Sequence, residues 1–211
     1  SQIEHPSVLA CFDYLETLGG RITRLPVNED GVVSAKDLEN CIDAQTGLVS
    51  VMAANNETGV LQPISELGAI CEAAGALFHT DYSQATAYIP VNLKSAPIHL
   101  TSFSGHKAYG PKGVGILYRS LRRPRVNLEP ILKGGGQENG LRSGTYNTPS
   151  MAALGKAFEI IEQKRIKDTE HLSDFRNKLE NELEKRIQGL VFNGRQSPRL
   201  PNTTSISIEL A

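Results

Sequence analysis

One short stretch of the sequence holds residue types that bind phosphate and react with carbonyl carbons. An apolar run at residues 98–103 leads into Ser104-Gly105-His106-Lys107, and a turn rich in glycine and proline follows. Serine and glycine at a strand end bring backbone N–H groups close to a ligand, which suits a phosphate. Histidine can carry a proton, and a lysine partly removed from water can form a Schiff base. Taken alone, the stretch is explained more simply as a surface turn with a solvated lysine.

Polar residues also follow two other apolar runs, at residues 48–53 and 76–80. Each run has the length and composition of a buried strand in a parallel sheet. Because ligands bind beyond the C-terminal ends of the strands in such sheets, we expect these polar residues to share one site. They are Asn55 and Asn56 after the first run, Asp81 and Gln84 after the second, and Ser104, His106 and Lys107 after the third.

Strands and helices alternate in the first half of the chain, with short connections. Helical spacing with start and stop signals predicts helices at residues 6–15, 34–42 and 63–74. Apolar runs predict strands at residues 21–27, 48–53, 76–80, 98–103 and 114–118. This alternation predicts an α/β fold with a mostly parallel sheet and helices on both faces.

The second half of the chain has a different pattern. Residues 133–145 are rich in glycine, which disfavours helix and strand and predicts a loop. A charged helical pattern covers residues 150–187, and a straight helix of that length would span about 57 Å, longer than a compact domain. We therefore expect a bend or break near Asp168-Thr169 and a passage between domains. The predicted units are a partial large domain at residues 1–163 and a partial small α+β domain at 164–211, with short strands at 190–192 and 203–208.

The composition excludes several classes of function. The 211 residues are 39% hydrophobic and carry a formal net charge of -1, which gives no basis for binding nucleic acid or a membrane surface. No apolar run approaches the roughly 20 residues needed to cross a bilayer, and no signal peptide is evident. The cysteines at positions 11, 41 and 71 are odd in number and far apart, so neither a disulfide framework nor a metal site is indicated. A reducing, cytoplasmic setting is expected.

Several motifs, taken together, indicate a family. They are Glu4-His5-x-Ser7-Val8, Asn55-Asn-Glu-Thr-Gly59, His79-Thr-Asp81-x-x-Gln84, Ser102-Phe-Ser-Gly-His-Lys107-x-Tyr-Gly-Pro-Lys-Gly and Gly134-Gly-Gly-Gln-Glu-x-Gly-Leu-Arg-Ser-Gly-Thr145. In this order they resemble the cysteine desulfurases of the NifS/IscS type, within the class V aminotransferase-like family of fold type I pyridoxal-phosphate enzymes. The similarity covers essentially the whole chain, and the glycine-rich Arg-Ser-Gly-Thr segment favours the NifS/IscS branch.

The resemblance implies pyridoxal 5'-phosphate as the cofactor and a set of residues around its ring. Lys107 would hold the cofactor covalently and release it to the substrate amine. Asp81 would face the pyridine nitrogen and keep it protonated, so that the ring accepts electron density when a bond to the substrate Cα breaks. His5 would stack on the ring. With His106 as a proton carrier, the expected catalytic residues are Lys107, His106 and His5.

The resemblance also assigns the remaining polar residues to the cofactor. Gln84 and Asn56 would hydrogen-bond the phenolic oxygen of the ring or the substrate. Ser104 and His106 would help to bind the phosphate. Thr145 would reach the phosphate of a neighbouring subunit, which implies a homodimer.

Four residues of the expected site also have local explanations. Asp81 could cap a helix, because aspartate is a preferred N-cap residue. His5 could likewise cap a helix or lie on the surface, and Ser104 could stabilise a turn. Asn56 could bond only to its own loop. Because the motifs occur together and in order, we favour the cofactor site over these local roles.

The implied reaction converts L-cysteine to L-alanine and leaves the sulfur as an enzyme persulfide. That sulfur would serve iron–sulfur clusters or tRNA thiolation, with a scaffold or acceptor protein as the partner. A selenocysteine lyase or a class V aminotransferase would share the residues present here. A truncated, non-catalytic chain that acts as a dimer partner or folding fragment is a third alternative.

The family pattern also extends beyond both ends of this sequence. It includes a phosphate-binding loop before the position of Ser1, and a loop with a nucleophilic cysteine and a substrate-binding arginine after Ala211. None of the cysteines at positions 11, 41 and 71 lies where that nucleophile belongs. We therefore expect the chain to be the central part of an enzyme, with apolar surface exposed where further chain would cover it.

Overall fold

The computed structural model describes residues 1–209, so Leu210 and Ala211, the last two residues of the predicted small domain, lie outside the described part. Single turns of 3-10 helix occur at Gly105–Lys107 and Glu138–Gly140. The longer elements, in chain order, are α1 (Pro6–Thr17), α2 (Ala35–Cys41), β1 (Leu48–Ser50), α3 (Ile64–Ala74), β2 (Leu77–Asp81), β3 (Leu100–Ser104), β4 (Gly115–Arg119), α4 (Thr148–Arg186), β5 (Leu190–Phe192) and β6 (Ile206–Ile208).

The first four strands form one sheet in the order β1-β2-β3-β4. The pairs β1–β2 and β2–β3 are parallel, and β4 runs antiparallel to β3. The strands β5 and β6 form a separate antiparallel pair. The predicted α/β class with a mostly parallel sheet is therefore confirmed.

Local sequence signals determine where the first helices begin and end. Ser34 caps α2 by accepting a hydrogen bond from the Asp37 amide, as its position before a short helix predicts. Gly75 ends α3 in the left-handed conformation, with φ of 72°, which glycine adopts without a steric penalty. Pro6 occupies the first turn of α1, where its missing N–H costs nothing.

The main core lies on one face of the sheet. Val49 of β1 and Phe78 of β2 point to this face and pack with Leu67 and Cys71 of α3. Phe78 and Leu67 are fully buried, and burying such side chains contributes about 1.5–3 kcal/mol each. Cys71 is an apolar core residue, as its place in the helical pattern predicts. The opposite face carries His79 and Asp81, which are only partly buried.

Two predictions about individual elements are wrong. Residues 21–27 do not form a strand within the described chain; only an isolated bridge joins Val27 to Val33. The apolar side chains there are explained by burial without strand pairing, because Leu25 enters the core. The helix α4 is continuous through Asp168 and Thr169, so the predicted break is absent.

The helix α4 is long because its two halves pack on different parts of the chain. Ile161 in the first half packs with Ala87 and Ala108 near the sheet. In the second half, Glu180 binds Arg199 through two hydrogen bonds of 2.9 and 3.1 Å. The predicted boundary between residues 163 and 164 lies inside this helix, and the division into two domains stays a prediction. In the described chain, none of the helices combines the length and hydropathy that a membrane span needs.

Candidate functional site

Backbone hydrogen bonds bring the ends of the three parallel strands to one edge of the sheet. The chain after β1 stays paired with β2, since Val51 N donates to His79 O at 3.1 Å and Ala53 N donates to Asp81 O at 2.8 Å. On the other side, Tyr82 N donates to Ser102 O of β3 at 2.9 Å. The polar clusters that follow these strands therefore lie side by side, as expected for a parallel sheet.

The turn after β3 presents three of the predicted site residues. Ser104 ends the strand, and its Oγ lies 3.0 Å from His106 Nδ1. Lys107 ends the 3-10 turn that begins at Gly105. Its side chain is exposed and makes no hydrogen bond or ion pair within residues 1–209, so the amine is available to a ligand.

Asp81 lies at the end of β2 with one carboxylate oxygen used and one open. Its Oδ1 accepts a hydrogen bond from Ser83 N at 2.9 Å, which stabilises a turn rather than a helix start. Its Oδ2 accepts no hydrogen bond from the described residues. Gln84 is half-buried in the same turn, and its amide likewise makes no hydrogen bond within residues 1–209. Both side chains are therefore free to bind a ligand.

The residues before His5 are anchored beside the chain that leaves β1. Oε1 of the buried Glu4 accepts from Met52 N at 2.9 Å, and the carbonyl oxygen of Ile3 accepts from Asn55 Nδ2 at 3.1 Å. These bonds hold the N-terminal segment against the chain that leaves β1. The His5 ring itself is exposed and caps α1, with Nδ1 accepting from Ser7 N at 3.2 Å. The local role considered for His5 is thus present, and the exposed ring can still make a further contact.

The two asparagines after β1 have different functions in the loop. Buried Asn55 organises it, because its Oδ1 accepts from Glu57 N at 2.9 Å and from Thr58 N at 3.0 Å. Asn56 is less buried and donates from Nδ2 to Glu57 Oε1 at 2.7 Å. In this structure Asn56 therefore bonds within its own loop, and a ligand would have to compete with Glu57 for its amide.

Thr145 is not brought to the other site residues. It is exposed in the glycine-rich loop at residues 133–145, where Gly144 N donates to Gln137 Oε1 at 3.0 Å. Among the described residues, no hydrogen bond connects Thr145 to the strand ends. This placement agrees with a role toward a neighbouring subunit, which stays a prediction.

A row of three polar side chains next to Asp81 was not predicted. His79 Nδ1 lies 2.8 Å from Ser50 Oγ, and His79 Nε2 lies 3.0 Å from Ser102 Oγ, so the row crosses β1, β2 and β3. Burial lowers the pKa of His79, and the negative charge of Asp81 offsets this only in part. The alternation of a strand, which puts residues 79 and 81 on one face, is the signal that could have indicated it.

A separate cavity lies on the opposite side of the Asp81 turn. Its lining includes Tyr82, Phe103, Phe158 and Arg165 and contains none of the predicted site residues. The candidate site is instead defined by donor and acceptor groups at one edge of the sheet.

The chain matches the family described as aminotransferase class V over residues 1–211. It belongs to this family. The resemblance inferred from the motifs is confirmed, and so is the fold type that it implied. Class V aminotransferases and the related cysteine desulfurases are pyridoxal-phosphate enzymes.

The chain is similar in sequence and in structure to several known proteins. A cysteine desulfurase IscS from Rickettsia akari is 45% identical over 204 residues, which are 97% of this chain and 50% of that protein. A solved NifS-like protein is 38% identical with a TM-score of 0.91, covering 99% of this chain and 56% of that one. A solved NifS-like protein from Rickettsia africae is 34% identical with a TM-score of 0.91, and the match covers 100% of this chain and 57% of that one. The chain thus spans about half the length of these class V relatives.

The residues at the sheet edge fit the cofactor of the class V family. A free primary amine at Lys107 can bond to an aldehyde, and an open carboxylate oxygen at Asp81 can accept from a protonated ring nitrogen. The hydroxyl and imidazole of Ser104 and His106, with the backbone of the tight turn, can donate to a phosphate. The set therefore contains a partner for the aldehyde, the ring nitrogen and the phosphate of pyridoxal 5'-phosphate.

Proposed function

We propose that this chain is part of a pyridoxal-phosphate-dependent cysteine desulfurase and that its own residues bind the cofactor. The supporting observation is the common position of Asp81, Ser104 and Lys107, which follow neighbouring parallel strands at one edge of the sheet. The names of the relatives, cysteine desulfurase and NifS-like protein, support the reaction class. The substrate of the complete protein would be L-cysteine, and the products L-alanine and persulfide sulfur.

When bound, pyridoxal phosphate supplies an electron sink for the bond that breaks at the substrate Cα. Lys107 would hold the cofactor covalently through its amine. Asp81 would accept a hydrogen bond from the ring nitrogen through Oδ2, because Oδ1 is already used by Ser83 N. An ionised carboxylate there stabilises a proton on that nitrogen by charge and hydrogen bonding.

The other residues would bind, orient and transfer protons. Ser104 and His106 would contact the phosphate, and His106 could also move a proton near the reacting carbon. His5 would stack on the ring while its Nδ1 continues to cap α1. Asn56 and Gln84 would hydrogen-bond the phenolic oxygen or the substrate, Asn56 after giving up its bond to Glu57.

The role of Thr145 extends the proposal beyond one chain. We propose that Thr145 contacts the phosphate of a neighbouring subunit in a homodimer, because it is exposed and away from its own strand ends. An acceptor or scaffold protein would take the sulfur. We also propose a cytoplasmic location, which rests on the unpaired cysteines at positions 11, 41 and 71.

The cofactor proposal is tested by adding pyridoxal phosphate to the pure chain and recording its visible absorption. We expect a band that the free cofactor lacks, and we expect Lys107→Ala to abolish it. Lys112→Ala is the matched control, since Lys112 is an exposed lysine of the same turn, and it should keep the band. A spectrum that is unchanged by the protein, or a band that survives Lys107→Ala, would refute the proposal.

The reaction is measured on the full-length gene product, because this chain spans about half the length of its relatives. We expect L-cysteine to yield alanine and sulfide in the presence of a reductant. Turnover of selenocysteine alone, or amino-group transfer to a keto acid, would assign the protein to another branch of the family.

A further inference from the structure

The row formed by Ser50, His79 and Ser102 lies on the face of the sheet that carries Asp81. His79 is two residues before Asp81 on β2, and Ser102 is the β3 residue that pairs with Asp81 in the register. Side chains two apart on a strand point to the same face, so the imidazole and the carboxylate are neighbours. The row therefore ends beside the group that is proposed to face the ring nitrogen.

The polar side chains of the row are not needed for the stability of the sheet. Placing polar groups in a sheet costs free energy unless they are paired, and apolar side chains would cover the same strands without that cost. Both ring nitrogens of His79 are paired, at 2.8 and 3.0 Å, which fixes the orientation of the ring. Burial also lowers the pKa of His79, so the ring stays uncharged near neutral pH.

We propose that His79 is a positioning residue for Asp81 and acts by joining the three parallel strands at the end that carries this carboxylate. Its ring lies between Ser50 Oγ of β1 and Ser102 Oγ of β3, and Ser102 pairs with Asp81 in the register, so the imidazole fixes the lateral position of the strand end on which the carboxylate stands. Because the imidazole is neutral, it adds no positive charge that would compete with a ring nitrogen for Asp81. The inference rests on the proposed function, which it extends by a residue that does not touch the cofactor.

The charged groups around the row leave Asp81 as the main influence on His79. The carboxylate of Asp81 raises the pKa of the imidazole, against the larger effect of burial. Arg119 of β4 shares this face through its pairing with Leu100, but it is exposed and therefore screened by solvent. Coupling between residues 79 and 81 is thus the measurable consequence of the proposal.

The first test uses the protein without cofactor, labelled with ¹⁵N-histidine, and follows the imidazoles by NMR. We expect Asp81→Asn to lower the pKa of His79 further, because a negative charge beside the imidazole is lost. The signals of His171, exposed on α4, are the control and should not respond to this substitution. A His79 pKa that does not change in Asp81→Asn would overturn the proposal.

The second test adds the cofactor and titrates its visible band with pH. Both His79→Gln and Ser102→Ala should shift the titration midpoint and weaken cofactor binding by about threefold or more. In an Asp81→Asn background the same substitutions should have no further effect, because their target is gone. Equal effects in both backgrounds would show a structural role only and would contradict the proposal. Ser102→Ala removes a single hydroxyl and serves as the test if His79→Gln does not fold.

Failure of this inference is distinguishable from failure of the proposed function. If the parent protein forms no band that depends on Lys107, the proposed function is wrong, and the NMR measurement still decides whether His79 and Asp81 are coupled. If the band forms but responds equally to row substitutions with and without Asp81, the function stands and the positioning role of His79 is wrong.

Discussion

The placement of Lys107 depends on a single glycine two residues before it. A Cβ atom on Gly105 would lie 2.6 Å from Val114 O and 3.0 Å from Pro111 O, and both are backbone atoms that cannot rotate away. The hydrogen bond between Ser104 and His106 spans the same residue. The amine, hydroxyl and imidazole of the candidate site are therefore presented by one turn whose geometry only glycine allows.

Replacing this glycine tests the turn directly. Gly105→Ala should destabilise the protein by about 1–3 kcal/mol, because the added methyl group overlaps backbone atoms, and it should weaken cofactor binding by displacing Lys107. Gly155→Ala is the control: a Cβ there meets nothing within 4 Å on the exposed side of α4, and alanine favours helix by about 0.5–1 kcal/mol. Urea unfolding measures both, and a Gly105→Ala protein as stable as the parent would contradict the account.

At the scale of elements, a buried ion pair connects α4 to the chain beside the candidate site. Glu180 is 3% exposed and binds Arg199, whose side chain is 5% exposed. The segment around Arg199 pairs with the loop that follows Asn56, since Leu61 N donates to Pro198 O and Leu200 N donates to Gly59 O, both at 2.8 Å. The ion pair therefore holds the second half of α4 against the loop that carries Asn56.

Glu180→Gln should destabilise the protein strongly. The change leaves Arg199 buried without its counter-charge, and breaking such a pair costs about 3 kcal/mol or more. Glu184→Gln is the control, because Glu184 is an exposed glutamate of the same helix and pairs with Arg195 at the surface. Chemical unfolding at neutral pH compares them. Equal stabilities of the two variants would contradict the importance assigned to the buried pair.

The same carboxylate makes stability depend on pH. Burial alone would raise the pKa of Glu180, but the hydrogen bonds from Arg199 and Thr204 outweigh it and hold the pKa below its usual value. A carboxyl group with a lowered folded-state pKa stabilises the fold above its unfolded pKa of about 4.3. That stability is lost as the pH falls through the lower folded value. The free energy of unfolding should therefore fall less toward acid pH in Glu180→Gln than in the parent. If both proteins lose the same stability over that pH range, Glu180 is not the group responsible.

At the scale of the whole molecule, the sheet ends in an exposed strand within the described chain. β4 is last in the strand order, and its Ile116 and Leu117 are 43% and 55% exposed. An edge strand with apolar side chains and unpaired backbone groups favours association with another chain. The exposed apolar surface expected from the sequence is present here.

We predict that the isolated chain associates as its concentration rises. Leu117→Lys should reduce this association, because a lysine on an edge strand opposes pairing by charge and solvation. Leu121→Lys is the control, since Leu121 is 82% exposed but lies outside β4. Sedimentation velocity over a range of concentrations measures the association of the chain and of both variants. A chain that stays monomeric, or that responds equally to both substitutions, would contradict a role of this edge.

The sequence predicted where strands end better than it predicted side-chain contacts between different elements. Asp81 and Lys107 could be placed because each follows an apolar run, and alternating elements imply a parallel sheet. The pairing of Glu180 with Arg199, 19 residues apart, depends on how α4 packs and has no local signal. The contacts of His79 depend on strand register, which a single sequence does not specify. The strand predicted at residues 21–27 was wrong because apolar residues can be buried without pairing.

The most direct test of the cofactor site locates the covalent attachment itself. Pyridoxal phosphate is bound to the protein and fixed by borohydride reduction, and the labelled peptide is identified by mass spectrometry after proteolysis. We expect the label on Lys107 and not on Lys112, the exposed lysine of the same turn. A label on Lys112, a label spread over several lysines, or no label at all would contradict the assignment of this edge of the sheet as the cofactor site.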